Sequence, residues 1–294
     1  MERNGATRLF LTIAGSVVIA AGIGLLIVYL HKVQPEKEAR ELLVEGKLAY
    51  EREDKDSINN SINLFSKIIA RYPDTKSADE AIYLIGQGYE KLGLNRLAYL
   101  KYVYILKNTK NLSQDLANDI RVRLSRLKIM REHTEEGIDQ LLGLVNYSSN
   151  NDFRSRIYTE LGHAYLKEGD YKKARRMFDI ALSENGGNEE AILGKARSFI
   201  HLGDDNKAYD LYEYFLKYYG NFSQYAADVR KSFARNLYDS GMRSYRRGSY
   251  YPAIEYFKRY LSNFPGDRKV ENSLYWIGES YFGLKKYTSA ATYF

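Results

Sequence analysis

At 294 residues, 45% of them hydrophobic and only four of them proline, the chain can build either one long helical array or about two ordinary domains. Its lack of cysteine excludes disulfides, thiolate metal sites, a thiol nucleophile and lipid attachment to an N-terminal cysteine. A formal charge of +7, from 44 Lys and Arg against 37 Asp and Glu, favours acidic partners or a membrane surface without requiring nucleic acid.

Residues 1–8 form a short basic tail carrying Arg3 and Arg8. Leu9 to Leu30 then gives 22 residues without a charge, followed by His31 and Lys32. A helix of that length reaches about 33 Å, enough for a bilayer core. The expectation is a transmembrane helix, an uncleaved signal anchor, over residues 9–31. The rival is a cleaved signal peptide, whose apolar region is usually about 7–15 residues. A short basic N-terminus usually stays in the cytoplasm, which predicts a single-pass protein of the inner (cytoplasmic) membrane with residues 32–294 periplasmic or extracytoplasmic. Ser16, Ala20 and Gly24 recur every four residues and would let two such helices pack closely, one route to a homo-oligomer. Small residues are also common in membrane helices without that role.

Residues 32–38 read as a linker, with Pro35 suited to a first helical turn. Beyond it the chain reads as helical hairpins, in two groups over 39–150 and 151–294. Gly86 to Ala98, Gly162 to Ala174, Ala196 to Ala208, Gly241 to Ala253 and Gly278 to Ala290 all lie 12 apart. Four residues after each second member comes an aromatic: Tyr102, Phe178, Tyr212, Phe257 and Phe294. Small residues let two helices approach, and the aromatic fills the space beside the contact. Ala49 to Ser61, with Phe65, and a degenerate Ser125 to Gly137, with Leu141, bring the expected total to seven hairpins. Ala208 to Ala253 is 45 where Ala174 to Ala208 is 34, so eleven extra residues near Gly220–Ser223 predict a longer helix or loop. Asn146–Asp152 reads as a soft boundary.

Leu161-Gly162, Tyr165, Ala174 and Phe178 stand at the spacing of the tetratricopeptide (TPR) repeat, and the part after residue 38 resembles that superfamily. The fold it implies is an all-α TPR helical-hairpin solenoid of about seven hairpins, one degenerate, after the transmembrane helix. YPDTKSADEAIYLIGQGYEKL from Tyr72 and FPGDRKVENSLYWIGESYFGL from Phe264 resemble TPR proteins of the bacterial envelope, namely the Tol–Pal-associated YbgF-like group and the TPR lipoprotein of outer-membrane assembly. That resemblance implies a binding scaffold in the periplasm with no enzyme activity. Those relatives carry a cleaved signal or a lipid-bearing cysteine, neither of which matches this chain.

Chemistry-bearing motifs are few. The histidines, His31, His133, His163 and His201, stand in no metal-ligand spacing, and no phosphate-binding glycine loop occurs in context. Glu135-Glu136 and Glu189-Glu190 fall at helix starts, where they favour the helix dipole. No catalytic, cofactor or metal site is expected. In TPR repeats the first helix of each hairpin lines the ligand face, which offers Arg156, His163, Lys167, Arg197, His201, Arg235, Tyr238, Met242, Tyr245 and Arg246 as peptide-binding candidates. Cations pair with carboxylates and Tyr gives rigid contact area, so the expected ligand is an extended acidic peptide. Charged residues also simply solvate exposed helix faces.

The function expected is a membrane-anchored scaffold for protein–protein interactions in assembly of a bacterial cell-envelope or periplasmic machine. The alternatives are a peptidoglycan-associated or recruiting subunit of an envelope enzyme complex and a component of a periplasmic flagellar collar. A nucleic-acid-binding helical repeat ranks last, because the basic clusters are spaced by repeat rather than joined in one stripe. The repeat ending at Phe294 stops mid-hairpin, which predicts a fragment or an open end that a partner or second copy covers.

Overall fold

Side-chain caps fix where the helices start. In the computed structural model, which describes residues 20–109, 112–146 and 149–294, the side chains of Asp54, Thr75, Ser113, Asn150, Asp170 and Asn188 each accept from the backbone N–H three residues on. The hairpins pair α1 (Gln34–Tyr50) with α2 (Lys55–Arg71), α3 (Lys76–Lys91) with α4 (Asn95–Asn108) and α5 (Gln114–Met130) with α6 (Thr134–Val145). Then come α7 (Asn151–Glu168) with α8 (Tyr171–Glu184) and α9 (Glu189–Leu202) with α10 (Asp205–Tyr219). The last two are α11 (Ala226–Arg246) with α12 (Tyr250–Asn263) and α13 (Val270–Gly283) with α14 (Tyr287–Tyr293). The chain divides into two compact units, residues 1–140 and 141–294, with the division inside α6.

Each hairpin reverses through one left-handed residue. Gly93, Gly169, Gly203 and Gly248 hold φ between 73° and 79°, and Glu53, Glu132 and Lys285 adopt 58° to 72° at the equivalent turns. Seven residues before each of these stands the small residue of the first helix: Gly46, Gly86, Ser125, Gly162, Ala196, Gly241 and Gly278. A Cβ at Gly46 would come within 2.4 Å of Phe65, and one at Gly86 within 2.5 Å of Tyr102. This changes the register expected for the first hairpin. Gly46, not Ala49, faces Phe65, because α2 carries three more residues between its turn and its aromatic than the other hairpins do.

In the first unit, Phe65, Ile68, Ala81 and Ile85 are fully buried, and Tyr102, Ile105, Ile120 and Leu127 continue the packing across α4 and α5. A polar cluster is enclosed between α3, α4 and α5. The Glu90 carboxylate, 9% exposed, accepts from Tyr102, Arg126 and the Arg123 guanidinium at 3.1 Å. Arg123 also reaches Asp119 at 2.9 Å, and Asp119 accepts from Tyr83. Burial pushes the Tyr83 hydroxyl up to about 12.

In the second unit, Phe178 and Phe257 fill the glycine notches of their hairpins. Tyr209, Tyr212, Phe215, Phe233 and Leu237 form a further buried cluster. The extra residues after α10 extend a first helix. Ala226 lies 15 residues before Gly241, whereas Glu189 lies seven before Ala196. Arg259 on α12 ties back to α10, to Asp210 at 2.7 Å and Glu213 at 2.6 Å.

The N-terminal apolar run requires a correction. From Ala20 a helix passes through a π-helical turn, Tyr29–Val33, directly into α1. No helix among the described residues is long and apolar enough to cross a membrane. This overturns the transmembrane helix expected over 9–31, together with the inner-membrane, periplasm-facing placement built upon it. Residues 9–19, Ser16 among them, lie outside the described residues. Ala20 and Gly24 stand one turn apart on this helix, where a Cβ at Gly24 would meet nothing within 4 Å.

Candidate functional site

The second unit presents a repeated face. Arg156, His163 and Lys167 on α7, Arg197 and His201 on α9, and Arg235, Met242 and Arg246 on α11 occupy common offsets from Gly162, Ala196 and Gly241. Those offsets, six before, one after and five after, fall on one side of a 3.6-residue helix. Arg156, Lys167, Arg197, His201, Arg235 and Arg246 are exposed, and His163 and Met242 are half-buried. His201 lies flat against Tyr171, with ring centroids 4.4 Å apart, and His163 meets the edge of Phe178 at 5.2 Å.

The two candidate tyrosines are committed to packing. Tyr238 stands edge-on to Phe257 and Tyr260, accepts from the Trp276 indole N–H at 3.2 Å, and carries the Lys269 ammonium 4.1 Å from its ring centre. Tyr245 packs on Trp276 at 4.9 Å and donates to Glu279 at 3.2 Å. Burial, then the Glu279 carboxylate, raises its hydroxyl above the ordinary tyrosine value. Met242 packs against the Ala253, Ile254 and Phe257 cluster. These three form an aromatic and thioether floor between α11 and α13 more than they form projecting contacts.

A cavity of about 370 Å³ opens between α7 and α9. Asp152, Arg156, Thr159 and Glu160 line it from α7, Asn185, Gly187 and Asn188 from the connecting loop, and Glu189 and Glu190 from α9. The loop is shaped by Asn188, whose Oδ1 caps α9 while its Nδ2 donates to Ser155 at 2.8 Å and to Thr159 at 2.9 Å. Asn185 donates to Asp152 at 2.9 Å. The next loop supplies Ser223, whose hydroxyl donates to Glu189, and Tyr225, which donates to Glu190 at 2.6 Å. Burial, then Glu190, pushes the Tyr225 hydroxyl up to about 12. Four acidic residues and one arginine thus line the cavity.

Of the residues expected to bind, only Arg156 lines this cavity. Asp152, Glu160, Asn185, Asn188, Glu189 and Glu190 are not among them. Glu189-Glu190 carries a readable signal, since an Asn followed by two acids marks a helix start. That the start would border a cavity depends on Asn188 reaching back to α7, which spacing does not reveal. Among the described residues, no group of three or more His, Asp or Glu side chains is placed to hold a metal ion.

Two segments match family models described as tetratricopeptide repeat, residues 165–227 and 272–294. No curated protein sequence matches the chain. Among solved structures, a thermophilic TPR protein of Thermus thermophilus superposes with a TM-score of 0.53 at 17% identity, over 68% of this chain and 98% of that one. PilW, described as a widely conserved type IV pilus biogenesis factor, superposes with 0.54 at 15%, over 79% and 97%. PilF of Pseudomonas aeruginosa superposes with 0.52 at 17%, over 79% and 95%. At these identities the likeness is one of fold.

Proposed function

We propose that the chain, two segments of which match tetratricopeptide-repeat models, is a scaffold binding an extended segment of a partner protein along the first-helix face of its second unit. One such unit buries its hydrophobic face only against its neighbours, so repeats of this kind present an extended surface rather than a catalytic pocket. The observation that carries the reading is the recurrence of exposed basic side chains five residues after the small residue on α7, α9 and α11. Lys167, His201 and Arg246 form that row near the hairpin turns, while six residues before the small residue Arg156 and Arg235 flank Glu190 of α9. Guanidinium groups at fixed intervals suit carboxylates of an extended chain.

The process served is, in this reading, assembly of a bacterial cell-envelope machine. Support comes from the similarity of fold to PilW and from the envelope-like Tyr72–Leu92 and Phe264–Leu284 segments. Affinity capture from the native cell tests it, using the full chain and an Arg197→Ala, Arg235→Ala variant of unchanged thermal stability. Envelope assembly proteins recovered by the parent and lost from the variant are expected. Equal recovery by both would remove the face from consideration, and recovery of ribosomal or nucleic-acid partners would remove the process.

A further inference from the structure

The outward face of a second helix is ordinarily polar, as Asn59, Asn63 and Lys67 make it on α2 and Lys172, Lys173 and Arg176 on α8. The outward face of α4 is not. Its Ala98, Tyr102 and Ile105 are buried in the hairpin, yet Leu97, Leu100 and Tyr104 are 42%, 55% and 53% exposed. At about 100° per residue these three fall within about 60° of one another and about 130° from the buried three. We propose that this outward stripe docks an amphipathic helix of a partner protein whose apolar seam is flanked by Asp and Glu. The surface belongs to the first unit and is separate from the face on α7, α9 and α11.

Spacing selects a helix as the occupant. Positions 97, 100 and 104 step by three and then four, the narrow seam along which one helix packs on another. Charge selects the flanks of that helix. Arg96 and Lys107 border the stripe on one side and Lys101 on the other. Arg96 and Lys101, one before and four after the first seam residue, hold the positions at which packed helices exchange ion pairs. No acid stands between Glu90 and Asp115 in the sequence. Lys91 is held by Glu53 at 2.8 Å, whereas Arg96, Lys101 and Lys107 form no ion pair among the described residues. Cations without counter-charges beside exposed leucines attract carboxylates and reject a cationic helix. The α4 of a second copy would set like charges together, which excludes that pairing. A bilayer surface suits a helix with a broad apolar face, and this stripe is one side chain wide and about 10 Å long.

The test measures fluorescence anisotropy of two labelled three-heptad peptides titrated with the full chain. Both carry Leu at every seam position; one has Glu and the other Lys at the flanking positions. The Glu peptide should bind at least tenfold more tightly than the Lys peptide. A Leu100→Gln, Tyr104→Gln variant should weaken the Glu peptide at least tenfold, with a thermal melt matching the parent's because both side chains are exposed. An Arg197→Ala, Arg235→Ala variant should bind it as the parent does. Equal binding of the two peptides, or undiminished binding by the Leu100, Tyr104 variant, would overturn the inference, and the peptide comparison decides this without any variant. Flotation with phosphatidylglycerol vesicles that depends on Leu100, with no preference between the peptides, would overturn it in favour of a lipid surface. Loss of the Glu peptide from the Arg197, Arg235 variant would move the contact to the second unit and overturn it as well. Partner capture that still depends on Arg197 and Arg235 would leave the scaffold reading standing in each of these cases.

Discussion

The ring of Phe178 lies so close to Gly162 that a Cβ built there would stand 2.6 Å from its Cε1 and Cζ. Gly194, on the next first helix, closes on the same ring, to 2.3 Å. One aromatic therefore locks both its own hairpin and the junction to the following one.

Replacing Gly162 by Ala should destabilise the second unit by about 1–3 kcal/mol, the usual cost of forcing volume into a filled core. Gly143→Ala is the control. A Cβ there meets nothing within 4 Å, and the helical residue gains propensity of about 1 kcal/mol. Thermal melts of the two variants should move in opposite directions.

The left-handed turns give a second pair. Glu132 and Lys285 occupy at φ 72° and 58° the place that Gly fills in four other hairpins. Such a conformation costs a non-glycine residue about 1–2 kcal/mol, while glycine costs the unfolded chain about 0.5–1. Glu132→Gly and Lys285→Gly should each stabilise slightly, and Gly248→Ala should destabilise by about 1 kcal/mol. Denaturant midpoints with unchanged slopes check this.

Glu90 is the acceptor shared by Arg123, Arg126 and Tyr102. Truncation to Ala removes the carboxylate shared by two partly exposed guanidinium groups, a loss of charged hydrogen bonds that costs about 1.5–3 kcal/mol. The loss should appear as early exchange of amides in α3 to α5, with residues 151–294 unaffected.

Alkaline pH should weaken the fold. Burial holds the hydroxyls of Tyr50, Tyr83 and Tyr225 up to about 12, above their ordinary value near 10. A raised folded value means that the contribution is complete below about pH 10 and is lost as pH rises through the folded value, because the unfolded chain releases its protons first. Stability should be flat near neutrality and fall between about pH 10 and 12. Beyond the signal of the exposed tyrosines, tyrosinate absorbance should show a component that rises in step with unfolding.

Much of the fold is legible because its rule is short. A small residue, a turn seven positions on and an aromatic nine after the turn define every later hairpin with an aromatic in that slot, and Gly162, Gly169 and Phe178 display it plainly. The first hairpin hides its register because both Gly46 and Ala49 are small, and only the position of Glu53 separates them. The apolar run before Leu30 illustrates the opposite case: composition alone says that a segment could span a bilayer, whereas no helix among the described residues is long and apolar enough to cross one. The candidate face is readable as a row of cations at helical offsets. Its cavity is not, because the carboxylates that line it come from α7 and α9, which the loop residues Asn185 and Asn188 tie together.

The most direct test of the account places a photoreactive residue at Arg197 or Arg235 on the first-helix face, and at Lys217 or Lys258, exposed on second helices, as controls. Crosslinked partner peptides read by mass spectrometry should come from Arg197 and Arg235. Equal crosslinking from Lys217 and Lys258, or from those positions alone, would contradict the assignment of the binding face.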